Sequence, residues 1–204
     1  MWWALSYFAM GVLSSVGLGT GVYTGTLVVF PMVAAESIRH DTLAGSMLAV
    51  LPRVVVWGVG TACGELPPYY VGTKIATGAV TLASMPRIAA LLQSATGLRA
   101  RLGRWGSLVI FGMACYPNAT FDACGLLAGM TGMSVKRFIV PTVLGKGLVK
   151  APVQALAVAS AARAGGWAPS PLAAGYMHAG CAVMAIGCLG SAYVYKRVWE
   201  AARS

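Results

Sequence analysis

The sequence predicts an all-α polytopic membrane protein built from two inverted units, each a re-entrant hairpin followed by a span, and completed by a final transmembrane helix. Three observations predict it. Apolar residues make up 58% of the 204 and charged residues only 10%, where a soluble domain carries about 25% charged. Two long apolar runs have lengths that fit neither one span nor two. Ten of the fifteen basic residues fall on one side of the membrane under a single layout.

A spanning helix needs about 20 apolar residues, with a range of about 17 to 25. From Met1 to Ala35 no residue is charged, and the run is interrupted by Gly17, Gly19 and Gly21. It is too long for one span and too short for two with a turn. Trp105 to Val135 repeats the pattern, with one acid at Asp122 and the breaker Tyr116-Pro117-Asn118 in its middle. Each run reads as a helical hairpin that dips into the bilayer and turns back. Such irregular backbone persists at membrane depth only where protein or a water-filled cavity covers it.

After the first hairpin, Thr42 to Thr73 carries a span interrupted by Arg53 and Glu65. After the second, Phe138 to Ala162 carries one interrupted by Lys146 and Lys150, and Leu172 to Tyr195 is a last clean span. A single membrane domain thus divides into a first half (1–73), a basic linker (74–104), a second half (105–163) and the last span (172–195).

Lys and Arg in short loops accumulate on the cytoplasmic side. The linker holds Lys74, Arg87, Arg99, Arg101 and Arg104 and no acid, so it is placed in the cytoplasm. The second hairpin then returns Lys136 and Arg137 to that side, and the C-terminal Lys196, Arg197 and Arg203 join them. The far side keeps Arg39 and Arg163. The first hairpin enters from the far side and the second from the cytoplasm, an inverted plan in which broken segments meet near the midplane and form a substrate path.

A net charge of +10 in such a chain concerns orientation and anionic lipid. No aromatic-basic strand or basic helix supports nucleic-acid binding. The five cysteines sit in apolar runs without C-x-x-C spacing and read as small buried hydrophobes, so no disulfide, metal or cofactor is expected. The start MWWALSYFAMG lacks a basic leader region, so the first apolar segment is expected to stay in the mature protein. Asn118-Ala119-Thr120 fits a glycosylation pattern but falls at a turn inside the membrane. No nucleophile, base and orienting group assemble from motif spacing, and covalent catalysis is not expected.

The stretch GELPPYY (64–70) places an acid where lipid does not welcome one. Charged residues at the bilayer centre cost about 2.5 to 3.5 kcal/mol and mark pathways, which makes Glu65, Asp122, Arg53, Lys146 and Lys150 candidates. Pro67 and Pro68 bring no N–H to the carbonyls of Cys63 and Gly64, so the stretch suits a polar pocket at a broken helix end. The alternative is a helix terminus at headgroup level with Tyr69 and Tyr70 as interfacial anchors. Arg53, Trp57, Thr61 and Glu65 recur every four residues, as do Thr142, Lys146, Lys150 and Gln154, so each span turns a polar stripe inward. Arg53 and Glu65, about 18 Å apart along a helix, are not partners. Glu65 and Asp122 are expected to find donors on other segments, Lys146 or Lys150 first. Gly60-x-x-x-Gly64 and Gly125-x-x-x-Gly129 suit close helix packing within the chain.

The blocks SSVGLGTGVYT (14–24), WGVGTACGELPPYY (57–70), ACYPNATFDACGLLAG (114–129) and GKGLVKAPVQ (145–154) resemble, in order, those of the vacuole membrane protein 1 family within the DedA or VTT-domain superfamily. The resemblance implies an integral endoplasmic reticulum membrane protein with two re-entrant hairpins and ATP-independent phospholipid scramblase activity. It also implies roles in autophagosome formation and lipid homeostasis, with phospholipids and autophagy or organelle-contact proteins as partners. By position it marks Gly64, Glu65, Pro67, Pro68 and Tyr69, then Pro117, Asn118, Phe121 and Asp122, then Lys146 and Lys150. The chain departs from the family at Tyr23, where a histidine is usual, at Ala119-Thr120 and in its basic linker. It begins at the first hairpin, as a truncated or minimal version would.

Lipid scrambling is therefore the leading expectation. Arg53, Lys146 and Lys150 would attract phosphate, and Glu65 and Asp122 would fix the hairpin tips or meet amine headgroups. The alternatives are an ion- or proton-coupled secondary transporter and a membrane scaffold at organelle contacts.

Overall fold

The computed structural model describes residues 2–15, 29–78, 96–116, 121–165 and 200. Every regular element among the described residues is helical. They are α1 (Trp2–Ser15), α2 (Phe30–Ser37), α3 (Leu43–Cys63), α4 (Leu66–Ala76), α5 (Thr96–Ala114), α6 (Phe121–Met130), α7 (Val135–Val143), a π-helical segment (Leu144–Lys150) and α8 (Ala151–Ala164). The last predicted span and the Gly17, Gly19, Gly21 and Pro117-Asn118 turns lie outside the described residues.

Two long helices organise the rest. The first, α3–α4, runs from Leu43 to Ala76 and among the described residues is the one helix long and apolar enough to cross a membrane. Thr42 caps its start, accepting from the Gly45 N–H at 3.1 Å, and the left-handed Gly78 (φ 73°) ends it. The second, α7–π–α8, extends about 45 Å at 1.5 Å per residue. The two lie antiparallel, because Tyr69 stacks on Phe138, Gly58 abuts Gly147 and Arg163 binds the backbone at 37–41.

The shorter helices follow one scheme in both halves. The first arm of each apolar run packs on its own long helix: α1 on α3, and α5 on α7 and the π segment. The second arm crosses to the other long helix: α2 on α8, and α6 on α4. The arms are short. The apolar part of α5 (Trp105–Ala114) and α6 each extend about 15 Å, half of the roughly 30 Å of hydrocarbon. Trp105 itself has non-helical backbone (φ −107°, ψ 19°), a kink where the basic linker meets the apolar run.

Small residues let these backbones touch. Side chains at Gly11 and Gly60 would collide with the facing helix, at Trp57 O and Phe8 O, and one at Gly64 would meet Val12 O. Likewise Gly72 faces Leu126 O, and Gly129 faces Tyr69 O and Thr73 N. The two described glycine pairs thus serve packing within the chain. A left-handed Gly132 closes α6, with its N–H on Gly129 O and the Met133 N–H on Ala128 O, a Schellman cap.

Two apolar cores result. One gathers Val33, Val50, Val54, Trp57, Ala151 and Ala155; the other gathers Tyr69, Ile110, Phe121, Cys124, Leu127 and Phe138. Along both long helices the change from one core to the other falls at the same level, at Gly64-Glu65 and at the π segment.

Gly129→Leu is expected to lower unfolding stability in detergent by about 1 to 3 kcal/mol, the usual cost of overpacking. Gly112→Leu, where open space surrounds the backbone, is expected to change it little. Equal effects from the two would count against close α4–α6 packing.

Candidate functional site

At Gly64-Glu65 the first long helix tightens, the Glu65 N–H reaching only three residues back to Ala62 O. Gly64 and Glu65 have ψ near zero, Pro67 and Pro68 supply no N–H, and α4 restarts at Leu66. This break swings the Glu65 side chain into the protein, where only 3% of the residue is exposed.

The second long helix breaks at the matching place. Pro141 leaves the Arg137 carbonyl without its helical donor, and the Ser107 hydroxyl of α5 donates to that carbonyl at 3.1 Å. The π segment follows and ends where the Ala151 N–H reaches back five residues to Lys146 O, one residue before Pro152. Wider π turns are frequent at functional sites. Here the turn carries Lys146, 4% exposed, against Glu65.

The Lys146 ammonium donates to Glu65 Oε1, and Nζ lies 4.5 Å from the centre of the Phe121 ring, a cation–π contact. Glu65 Oε2 has no hydrogen-bond partner among the described residues, and neither has Gln154 Oε1 on the same stripe as Lys146. Asp122 stands in the first turn of α6, where the helix dipole favours an acid. The charges of Lys146, Glu65 and Asp122 all reach Lys150. Glu65 and Lys146 thus pair directly, with Asp122 and Lys150 within electrostatic range of the pair. Isolated buried charges would cost several kcal/mol each.

Of the residues singled out in the sequence, Glu65 and Lys146 are brought into contact, and Asp122 and Lys150 lie within electrostatic range of them. Arg53 does not join them: it is half-buried about three turns away along α3, with Tyr7 in its field. Asn118 lies outside the described residues. Tyr69 is no interfacial anchor, since it is 7% exposed, stacks on Phe138 at 5.3 Å and donates to Met133 O at 2.6 Å; Tyr70, 55% exposed, fits that role. Cys124 is buried, whereas Cys63 and Cys115 are half-buried free thiols.

Sequence reasoning missed Ser107, Phe138 and the π geometry. The signal was present for the first: a proline four residues after Arg137 inside a helix leaves one carbonyl in need of a donor. It also missed Arg163, whose guanidinium donates to Ser37 O at 3.1 Å, His40 O at 2.6 Å and Asp41 O, tying the end of α8 to the α2–α3 loop.

Fold and site together define a helical membrane protein with a buried ion pair set between broken helices. Comparison with known proteins narrows the class. The chain is similar to curated proteins named for vacuole membrane protein 1. It is 26% identical over 212 residues to vacuole membrane protein KMS1 of Arabidopsis thaliana, covering 76% of this chain and 50% of that protein. It is 28% identical over 197 residues to the vacuole membrane protein 1 homolog of Dictyostelium discoideum (76% and 48%), and 26% identical over 193 residues to vacuole membrane protein 1 of Bos taurus (74% and 48%). The chain spans about half the length of these curated relatives. No family model and no solved structure matches it.

Lys146→Met is expected to destabilise the detergent-solubilised protein by about 3 to 5 kcal/mol, because it leaves a buried carboxylate without its counter-charge. The double variant Glu65→Gln with Lys146→Met should cost clearly less than the sum of the single changes. Additivity within about 0.5 kcal/mol in this cycle would argue against the pair.

Proposed function

We propose that this protein is an ATP-independent phospholipid scramblase of the endoplasmic reticulum membrane, supporting lipid homeostasis and autophagosome formation. The observation that carries the reading is the buried Glu65–Lys146 pair at the level where both long helices break. A zwitterionic headgroup is an ammonium and a phosphate. The cluster offers the complementary set: acids at Glu65 and Asp122, bases at Lys146 and Lys150. A headgroup reaching it would exchange partners with the cluster instead of leaving its charges bare, while the acyl tails stay in the bilayer.

The two apolar runs act as re-entrant hairpins in this reading. Arms about 12 to 21 Å long at 1.5 Å per residue, each packed on a long helix, suit segments that enter and return, and polar backbone at their tips needs protein cover. The orientation follows from basic residues: Lys74, Lys136 and Arg137 sit at helix ends on the level of the Ser107–Arg137 contact and face the cytoplasm, while Arg39 and Arg163 sit together at the other end. Covalent catalysis has no part, and movement runs down a gradient.

One observation favours a second reading. Glu65 Oε2, buried and without a hydrogen-bond partner among the described residues, is an open acceptor that a transported cation or proton could use, so a coupled transporter is the alternative.

Purified protein in liposomes holding a fluorescent phospholipid tests both. Wild type is expected to expose inner-leaflet label to dithionite without ATP, and folded Glu65→Gln and Asp122→Asn variants to slow that exposure by about tenfold or more, the order of one lost charge contact. Exchange no faster than in empty liposomes sinks the scramblase reading. Solute uptake driven by a pH step, lost in Glu65→Gln, would install the transporter in its place.

A further inference from the structure

Away from the ion-pair cluster, a groove of about 450 Å³ opens on the outer surface between α5 and α7. Its walls are apolar: Leu108 and Phe111 from α5, and Val140, Pro141 and Leu144 from the second long helix. Leu108, Val140 and Leu144 are exposed. Two exposed cations, Lys136 and Arg137, stand at one end, and no acid among the described residues lines it.

The groove exists because the two helices are pinned at separate points. Ser107 holds α5 to the Arg137 carbonyl at 3.1 Å. One turn deeper and beyond, Gly145 brings Phe111 O and Ala114 against the π segment. Between these points α5 stands off from α7, and Pro141, which has no N–H, floors the gap. From Lys136 to Leu144 the wall is about 12 Å long at 1.5 Å per residue. That is close to the depth of one leaflet, half of the roughly 30 Å of hydrocarbon.

We infer that this groove is a binding site for a single anionic phospholipid, its phosphate held by Lys136 and Arg137 and one acyl tail laid along Leu108, Phe111, Val140 and Leu144. Charge complementarity selects the occupant. An apolar channel in the outer surface of a membrane protein receives a lipid tail in any case, and paired cations with no neighbouring acid select an anionic headgroup over a zwitterionic one. The positive end of the α7 dipole adds to the same mouth, and Ser134 makes no side-chain cap there. The bound lipid would brace α5 on α7 just before the π segment that carries Lys146. The site lies outside the cluster assigned to scrambling, so it stands whether or not that reading does.

The test uses the full chain in nanodiscs of phosphatidylcholine with a minor share of phosphatidylserine, and reads the lipids retained after detergent extraction by mass spectrometry. Wild type should retain phosphatidylserine roughly tenfold above its share, the order provided by two cations near an anionic headgroup. Lys136→Gln with Arg137→Gln should abolish the enrichment, Lys136→Arg with Arg137→Lys should keep it, and Val140→Trp, which fills the groove, should reduce retention of either lipid. Arg39→Gln, an exposed cation at the other end, should leave enrichment unchanged. The inference fails if the neutralised variant retains phosphatidylserine like wild type. It fails too if Arg39→Gln abolishes enrichment equally, which would indicate diffuse charge. Displacement of the lipid by inorganic phosphate, with Val140→Trp silent, would make the site an anion site and overturn the lipid assignment.

Discussion

A carboxylate and an ammonium buried against each other set the terms for this fold. Glu65 and Lys146 come from the two long helices, and neither charge is tolerable in an apolar interior alone. Their contact fixes the register of those helices: a slide by one helical turn, about 5.4 Å, would strand both charges. The other antiparallel contacts, Tyr69 on Phe138, Gly58 on Gly147 and Arg163 on the 37–41 backbone, are consistent with the same register.

The chain reaches that pair by breaking both helices, and each break is tied off differently. In the first, two prolines remove donors and the helix restarts at once. In the second, a proline and a π turn loosen the ladder, and a serine from a neighbouring helix satisfies the carbonyl left over. Loosened backbone between two rigid halves is the place where a packed protein rearranges most readily. The common packing scheme of the two halves means that a shift in one long helix is felt by a short helix from the other half, α6 riding on α4 and α2 on α8. Coupling between the halves is thus built into the packing.

Much of the candidate site was legible in the sequence because membranes make charge conspicuous. Glu65 beside two prolines and Lys146 between two glycines stand out in an apolar chain, and lipid leaves few reasons to keep them except each other. The glycine pairs were legible for a related reason: without a hydrophobic drive between helices, close backbone contact is what holds them together, and only small residues permit it. Arg53 shows the limit of this logic. It shares the four-residue spacing of the stripe, but a straight helix carries it three turns from the cluster. Spacing reports a face of a helix and says nothing of what that face meets. Tyr69 and Tyr70 make the same point, since adjacent aromatics on a helix point in different directions, and one is core while the other is surface.

The sequence by itself determined the solvent of this protein, the break of the first long helix at Gly64-Glu65 and the charges that need partners. Those properties are local: each follows from composition, proline chemistry or the cost of a charge in lipid, over a window of about one span. Tertiary structure decided that Lys146 and not Lys150 binds Glu65, that Phe121 covers the ammonium, that Ser107 repairs the break at Pro141 and that a groove opens between α5 and α7. These depend on how deep two helices interlock and which turn faces which, and residues far apart in the chain, as Glu65 and Lys146 are, acquire their distance only when the backbones pack.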